Sequence, residues 1–222
     1  MKRAGSAERS GRLTAGDWVD AAYSAMAEAG VGSVAVEPLA RRLGVTRGSF
    51  YWHFKDRRAL LEATLERWER ESTEAVISAT RSITDPLERF VRLAEEAFNE
   101  APRDDNASGG DVSRRRAFEL AVSDASDDPV VRPFLRRVTE RRIGYVEECY
   151  RALGLPREEA HHRALMAYAA YAGTVRLFRD IPDRMPRGED YRVYRRHFID
   201  ALVPGEDPSE PRGRDSQAAS PT

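Results

Sequence analysis

Residues 47–57, RGSFYWHFKDR, bring together Arg47, Ser49, Tyr51, Trp52, His53, Lys55 and Arg57. Arginine can offer paired donors to the O6 and N7 edge of a guanine, and serine reaches a base edge or a phosphate. Tyrosine, tryptophan, histidine and lysine supply contacts of the kind that clamp a phosphate backbone and fix register on a duplex. Gly48, with no Cβ, lets the backbone come close to such a partner. The chemistry on offer is recognition without bond making. No nucleophile–base pair, phosphate loop, paired-carboxylate motif or metal triad accompanies it, so no catalytic role and no cofactor is expected. His161 and His162, with Glu158, Glu159 and Cys149, are a metal-like grouping. Adjacent histidines point about 100° apart on a helix, however, and no metal site is expected there.

Such a stretch is useful only when a rigid element presents it. Val36, Leu39, Ala40 and Leu43 recur at helical spacing, and Gly44 follows where a helix end favours positive φ. Thr46 is the expected N-cap of a second helix beginning at Arg47. Phe50 and Phe54, four residues apart, share its inward face, which leaves Arg47, Ser49, Tyr51 and Trp52 outward. Two short helices joined by a tight turn, the second one exposed, make a helix-turn-helix. Upstream, Thr14 and Asp17 have capping-box spacing and open a helix to about Ala29, with Trp18, Ala22, Ala25, Met26 and Ala29 inward.

The segment GVTRGSFYWHFKDRRALLEA resembles the recognition-helix region of the TetR family of bacterial one-component transcriptional regulators. LTAGDWVDAAYSAMAEAGVGSVAVEPLARRLGV resembles that family's first two helices, so the resemblance covers residues 13–65. It implies DNA contacts from Arg47, Gly48, Ser49, Tyr51, Trp52, His53, Lys55 and Arg57, with Tyr51-Trp52-His53 similar to the family's phosphate-clamping Tyr-x-His cluster. Free N–H groups at the start of the next helix, beside Lys55 and Arg57, are expected to add to anion binding. The resemblance further implies a homodimer built from the last two helices, a palindromic operator, and a small-molecule effector pocket among the central helices. Four positions depart from the family pattern. Ala35 and Val36 stand where a capping Ser or Thr is frequent, so Ser33 is expected to cap instead. Glu37 replaces a basic residue found in some relatives, and Arg57 replaces a typical lysine.

Composition agrees with this reading. The chain has 222 residues, 41% hydrophobic and 33% charged, as in an ordinary globular protein. Cys149 is its single cysteine, which rules out a disulfide framework within the chain. The N-terminus lacks an apolar h-region and no stretch reaches membrane-span length, so a cytoplasmic protein is expected. A net charge of −1 hides an asymmetry: the first 58 residues are net positive and the remainder net negative. A basic head on an acidic body suits a DNA-binding module.

Periodicity predicts an all-α protein of about nine helices, with an N-terminal three-helix DNA-binding domain and a C-terminal helical domain. Residues 1–12 read as a disordered basic arm, which either enters the minor groove or is simply solvated. Residues 13–60 form the expected helix-turn-helix domain, 61–203 the effector-binding and dimerisation domain, and 204–222 a disordered tail. A long helix is predicted from 57 to 79, followed by helices at 86–98, 114–124, 128–153 with a kink at Pro133, 156–180 and 189–203. Residues 102–113 read as a loop.

Trp68, Phe118, Tyr145 and Tyr168 are the aromatic candidates for lining an effector pocket, although core packing explains them equally well. Residues 164–178, ALMAYAAYAGTVRLF, are apolar on nearly every face, as in a helix buried all round. One face, Leu165, Tyr168, Ala172 and Val175, is assigned to the chain's own core. The other, Ala164, Ala167, Ala170, Tyr171, Thr174 and Phe178, is assigned to a second copy. The function expected is a dimeric regulator, a repressor released from a palindromic operator by a small molecule. The alternative is a helical interaction or scaffold protein that DNA binding merely localises.

Overall fold

The computed structural model describes residues 13–98 and 110–204, with the backbone alone for 110–113. The expected basic arm, the tail from residue 205 and most of the expected loop lie outside the described residues. Among the described residues there is no strand, and the chain is all-α. Helices α1 (Ala15–Ala29), α2 (Val36–Leu43) and α3 (Arg47–Phe50) precede α4 (Arg57–Glu69) and α5 (Ala75–Arg81). Then follow α6 (Pro86–Phe98), α7 (Gly110–Asp124), α8 (Val131–Ala152), α9 (Arg157–Asp180) and α10 (Gly188–Leu202). Helix α7 starts at Gly110, inside the segment expected to be a loop.

The expected capping box is present: Thr14 accepts from the Asp17 N–H and Asp17 accepts from that of Thr14. Gly44 ends α2 at φ 71°, a conformation costly for any residue with a Cβ, and the Val45 N–H closes on the Ala40 carbonyl at 3.0 Å. Ser33 does not cap α2. Its hydroxyl donates to the Gly30 carbonyl at 2.6 Å, tightening the 3₁₀ turn Val31–Ser33, and the N-cap position falls to Ala35 with no side-chain bond.

The long helix expected over 57–79 is interrupted. Residues Arg70–Glu74 form a π-helical turn between α4 and α5, in which the Ala75 N–H reaches back to the Arg70 carbonyl. The Ser72 hydroxyl donates to the Trp68 carbonyl at 2.6 Å, a back-bond of the kind that loosens an α-helical ladder. The result is one rod, α4–π–α5, running from the reader region into the C-terminal helices.

Two cores form around it. The first joins α1 to α4 with Trp18, Met26, Phe50, Leu61, Leu65 and Trp68, and extends into α7 and α8 through Phe118, Val122 and Val138. The second gathers Ile77, Phe90, Tyr145, Tyr150, Ala160 and Ala164 from α5, α6, α8 and α9. Cys149 lies in this second core, and burial pushes its thiol up to about 11. A thiol-reactive dye at pH 8 is therefore expected to leave Cys149 unlabelled in the folded protein and to label it promptly in denaturant. Prompt labelling without denaturant would contradict the packing.

Candidate functional site

Phe50 is fully buried and sets the reader region in place. Its ring meets Trp18 edge-on at 5.2 Å and stacks near Phe54 at 5.8 Å. Only Arg47–Phe50 is regular α-helix, shorter than the expected span to Phe54. The chain continues through i→i−3 bonds, His53 N–H to Phe50 C=O at 2.9 Å among them, before Phe54 returns to the core. Thr46 holds the N-cap position in extended conformation, without a side-chain cap bond.

Around that anchor, Arg47, Gly48, Tyr51, Trp52 and Lys55 are exposed, and Ser49 and His53 are half-buried. Tyr51 is 51% and Trp52 82% exposed, far more than large aromatic rings ordinarily leave in water. Arg47 donates to the Tyr51 hydroxyl at 3.2 Å with its guanidinium over the ring, so the two side chains present one surface. Arg57 is placed differently. It donates to the carbonyls of Val34 at 2.5 Å and Val31 at 3.0 Å, pinning the turn before α2 to the start of α4. Its Nε and Nη2 thus brace the domain, so that Nη1 is the nitrogen left for the phosphate contact expected of this residue. The start of α4 also carries its own anion: Asp56 accepts from the Ala59 N–H at 2.8 Å, so that end is less open to phosphate than expected. Glu37 pairs with Arg41 at 3.0 Å on the outer side of α2.

Further along the rod lies a partly open cavity of about 100 Å³, bounded by the π turn and by α5, α6, α8, α9 and α10. Tyr145 and Tyr168 line it. Trp68 and Phe118 do not. Phe118 stacks on Tyr23 of α1 with centroids 4.1 Å apart, and Trp68 lies against Phe118. These two rings join the reader domain to the C-terminal helices, and the sequence reading misplaced them because large aromatics suit cores and pockets alike.

Sequence reasoning missed the polar groups at the cavity. Arg142 of α8 donates to Thr73 Oγ1 at 2.9 Å, to Ser72 Oγ at 3.0 Å and to Glu119 of α7 at 2.7 Å. Glu119 also accepts from the Tyr171 hydroxyl of α9 at 2.7 Å. Burial opposes the charged form of Glu119. The charges of Arg142 and Arg115 and the bonds from Arg142 and Tyr171 outweigh it, holding the carboxyl below the ordinary glutamate range. Burial and the neighbouring carboxylate push the Tyr171 hydroxyl up. The available signal was Glu119 itself, a carboxylate beside Phe118 and Val122 on the buried side of α7, which demands a cation.

The outward face of α9 is opposite to the one expected. Ala164, Ala167 and Thr174 are buried in their own chain, Tyr171 reaches Glu119, and Phe178 lies against Tyr191 and under the Arg116 guanidinium. Thr174 accepts or donates across 3.0 Å to Tyr194 of α10 and donates to the Ala170 carbonyl. Leu165 and Ala172, assigned inward, are exposed, and Met166, Ala169, Gly173 and Leu177 share that side. Tyr168 and Val175 alone of the inward set face the core. A helix apolar all round carries no phase information; the hydroxyl of Tyr171 seeking a buried carboxylate sets it here.

Residues 19–64 match the family model described as "Bacterial regulatory proteins, tetR family". The transcriptional regulator TtgR of Pseudomonas putida is 27% identical over 180 residues, covering 74% of this chain and 80% of TtgR. The regulator BetI of Yersinia pestis is 33% identical over 85 residues, 37% of this chain and 43% of BetI. Among solved structures, SmeT, the repressor of the Stenotrophomonas maltophilia multidrug efflux pump SmeDEF, superposes with a TM-score of 0.65 at 21% identity. That superposition covers 90% of this chain and 98% of SmeT. Exposed reader residues on a helix-turn-helix, joined to a helical body with a cavity, define a DNA-binding transcriptional regulator. Over residues 19–64 the chain carries the helix-turn-helix of the TetR family, and its helical fold is that of the family's solved structures. Members bind DNA and small-molecule effectors and typically form dimers. No helix of the described residues is long and apolar enough to cross a membrane.

Proposed function

We propose that this chain is a cytoplasmic, dimeric repressor that holds a palindromic operator and is released when a small molecule enters the cavity beside the π turn. The observation that carries this reading is the paired Arg47 and Tyr51, with Trp52, standing exposed on a support as rigid as the buried Phe50. Arg47 is the base reader; Gly48, Ser49, Tyr51, Trp52, His53 and Lys55 position the backbone. Two such surfaces about 34–36 Å apart match successive major grooves, which requires a two-fold dimer. The exposed apolar side of α9, continued by Val193 on α10, is the self-complementary face that such a dimer would use. Release is a population shift: the effector prefers a spacing of reader helices that the operator does not accept.

The test is fluorescence anisotropy on DNA from around the chain's own gene, over a salt series. Saturable binding of two chains per site with a steep salt slope is expected. Tyr51→Ala should lower affinity about tenfold on all sequences, whereas Arg47→Ala should lower it by about as much and also relax base preference. Weak binding, equal on random DNA and unchanged in both variants, would refute the repressor reading.

A further inference from the structure

The cavity is chemically one-sided. Ile77, Phe90, Phe98 and Phe198 make its walls apolar, while Ser72, Thr73, Arg142 and Tyr171 are joined into one hydrogen-bonded group through Glu119. Among the described residues, the charged side chains on its lining are Arg115 and Arg142, and the carboxylate of Glu119, bonded to Arg142, is not part of the wall. A cation entering this space meets like charge. An uncharged apolar molecule would offer no acceptor to the guanidinium donors that Glu119, Ser72 and Thr73 leave unused, and an unanswered donor is costly there. The bonds of Arg142 to described residues use Nε and Nη2, none of them Nη1, so donor capacity remains on the side chain that lines the cavity.

We propose that the cavity selects a compact organic anion, its aromatic or branched apolar body lying among the phenylalanines and its carboxylate accepting from Arg142. This rests on the reading of the cavity as the effector site. It also gives that reading a lever: Arg142 holds Ser72 and Thr73, so an anion competing with Glu119 for the guanidinium acts directly on the π turn of the rod that leads to the reader helix.

The test uses three probes with one tail and different heads: 4-phenylbutyrate, 4-phenylbutanol and 4-phenylbutylammonium. Calorimetry on the full chain without DNA should show saturable binding of the acid near one per chain, at least about tenfold tighter than the alcohol, and no binding of the ammonium. Glu119→Gln removes the competing carboxylate and should widen the acid-over-alcohol ratio by a further factor of about five to ten. Arg142→Gln, if it folds, should erase the preference. Alcohol or ammonium binding as tightly as the acid, no binding of the acid, or a folded Glu119→Gln protein with an unchanged ratio would each overturn the anion assignment. Selective acid binding that leaves DNA affinity untouched would instead overturn the effector reading and leave the anion site standing.

Discussion

Arg142→Met is expected to destabilise the protein by on the order of 3–5 kcal/mol, read as a fall in urea midpoint at neutral pH with little change in slope. Arg142 and Glu119 are both shielded from water, and removing one partner abandons a charge in a poor solvent for it. The double variant Arg142→Met/Glu119→Leu should regain most of the loss, because two apolar side chains of similar bulk need no compensation. A single variant costing under about 1 kcal/mol, or a double no better than the single, would mean that the pair is open to water. Acid provides an independent check. In the wild-type protein the folded state holds the Glu119 carboxyl below its ordinary range, so its contribution is complete above the unfolded glutamate value and is lost as pH falls through the folded one. In Arg142→Met the same carboxyl keeps the burial and loses its main counter-charge, with Arg115 the weaker one left. Its folded value rises above the unfolded one, so that variant should gain stability relative to wild type on acidification.

Met166→Glu is expected to split the dimer and with it operator binding, lowering DNA affinity on the order of a hundredfold or more. A two-fold interface brings each residue near its own copy, so one substitution inserts two like charges into an apolar face. Met166 is 61% exposed in the single chain, so a folded monomer should tolerate the change. Sedimentation should report a helical monomer. The contrasting variant Ala164→Glu, at a position with no exposure at all, should instead unfold the chain. If Met166→Glu sediments as a dimer, the outward face of α9 is not the interface.

Legibility in the sequence differs sharply between the two halves. The reader region is legible because its signals are local: a capping box at Thr14, an αL glycine at Gly44, and Phe50 and Phe54 one turn apart. Each is a rule about neighbours within a few positions. The cavity is illegible because its deciding bonds join Ser72, Glu119, Arg142 and Tyr171 across four elements, and no periodicity encodes a partner 23 or 70 residues away. Arg57 shows the same gap on a small scale. Its type and place suggest a phosphate, and only the fold reveals that the Val31 and Val34 carbonyls lie within its reach. For α9, the composition announces burial without saying on which side.

The π turn sets the phase of the rod. Trp68 and Ile77, both buried, are nine positions apart, and in an unbroken α-helix nine residues at about 100° each would place them on opposite sides of the axis. The surplus residue in Arg70–Glu74 takes out about one such step and returns both side chains to the inner half of the rod. Winding that turn back into α geometry would therefore rotate everything on the reader side by about 100° relative to everything on the cavity side. The angular setting of the DNA-reading surface thus resides in which carbonyl the Ala75 N–H selects, a choice made beside the side chains that Arg142 holds.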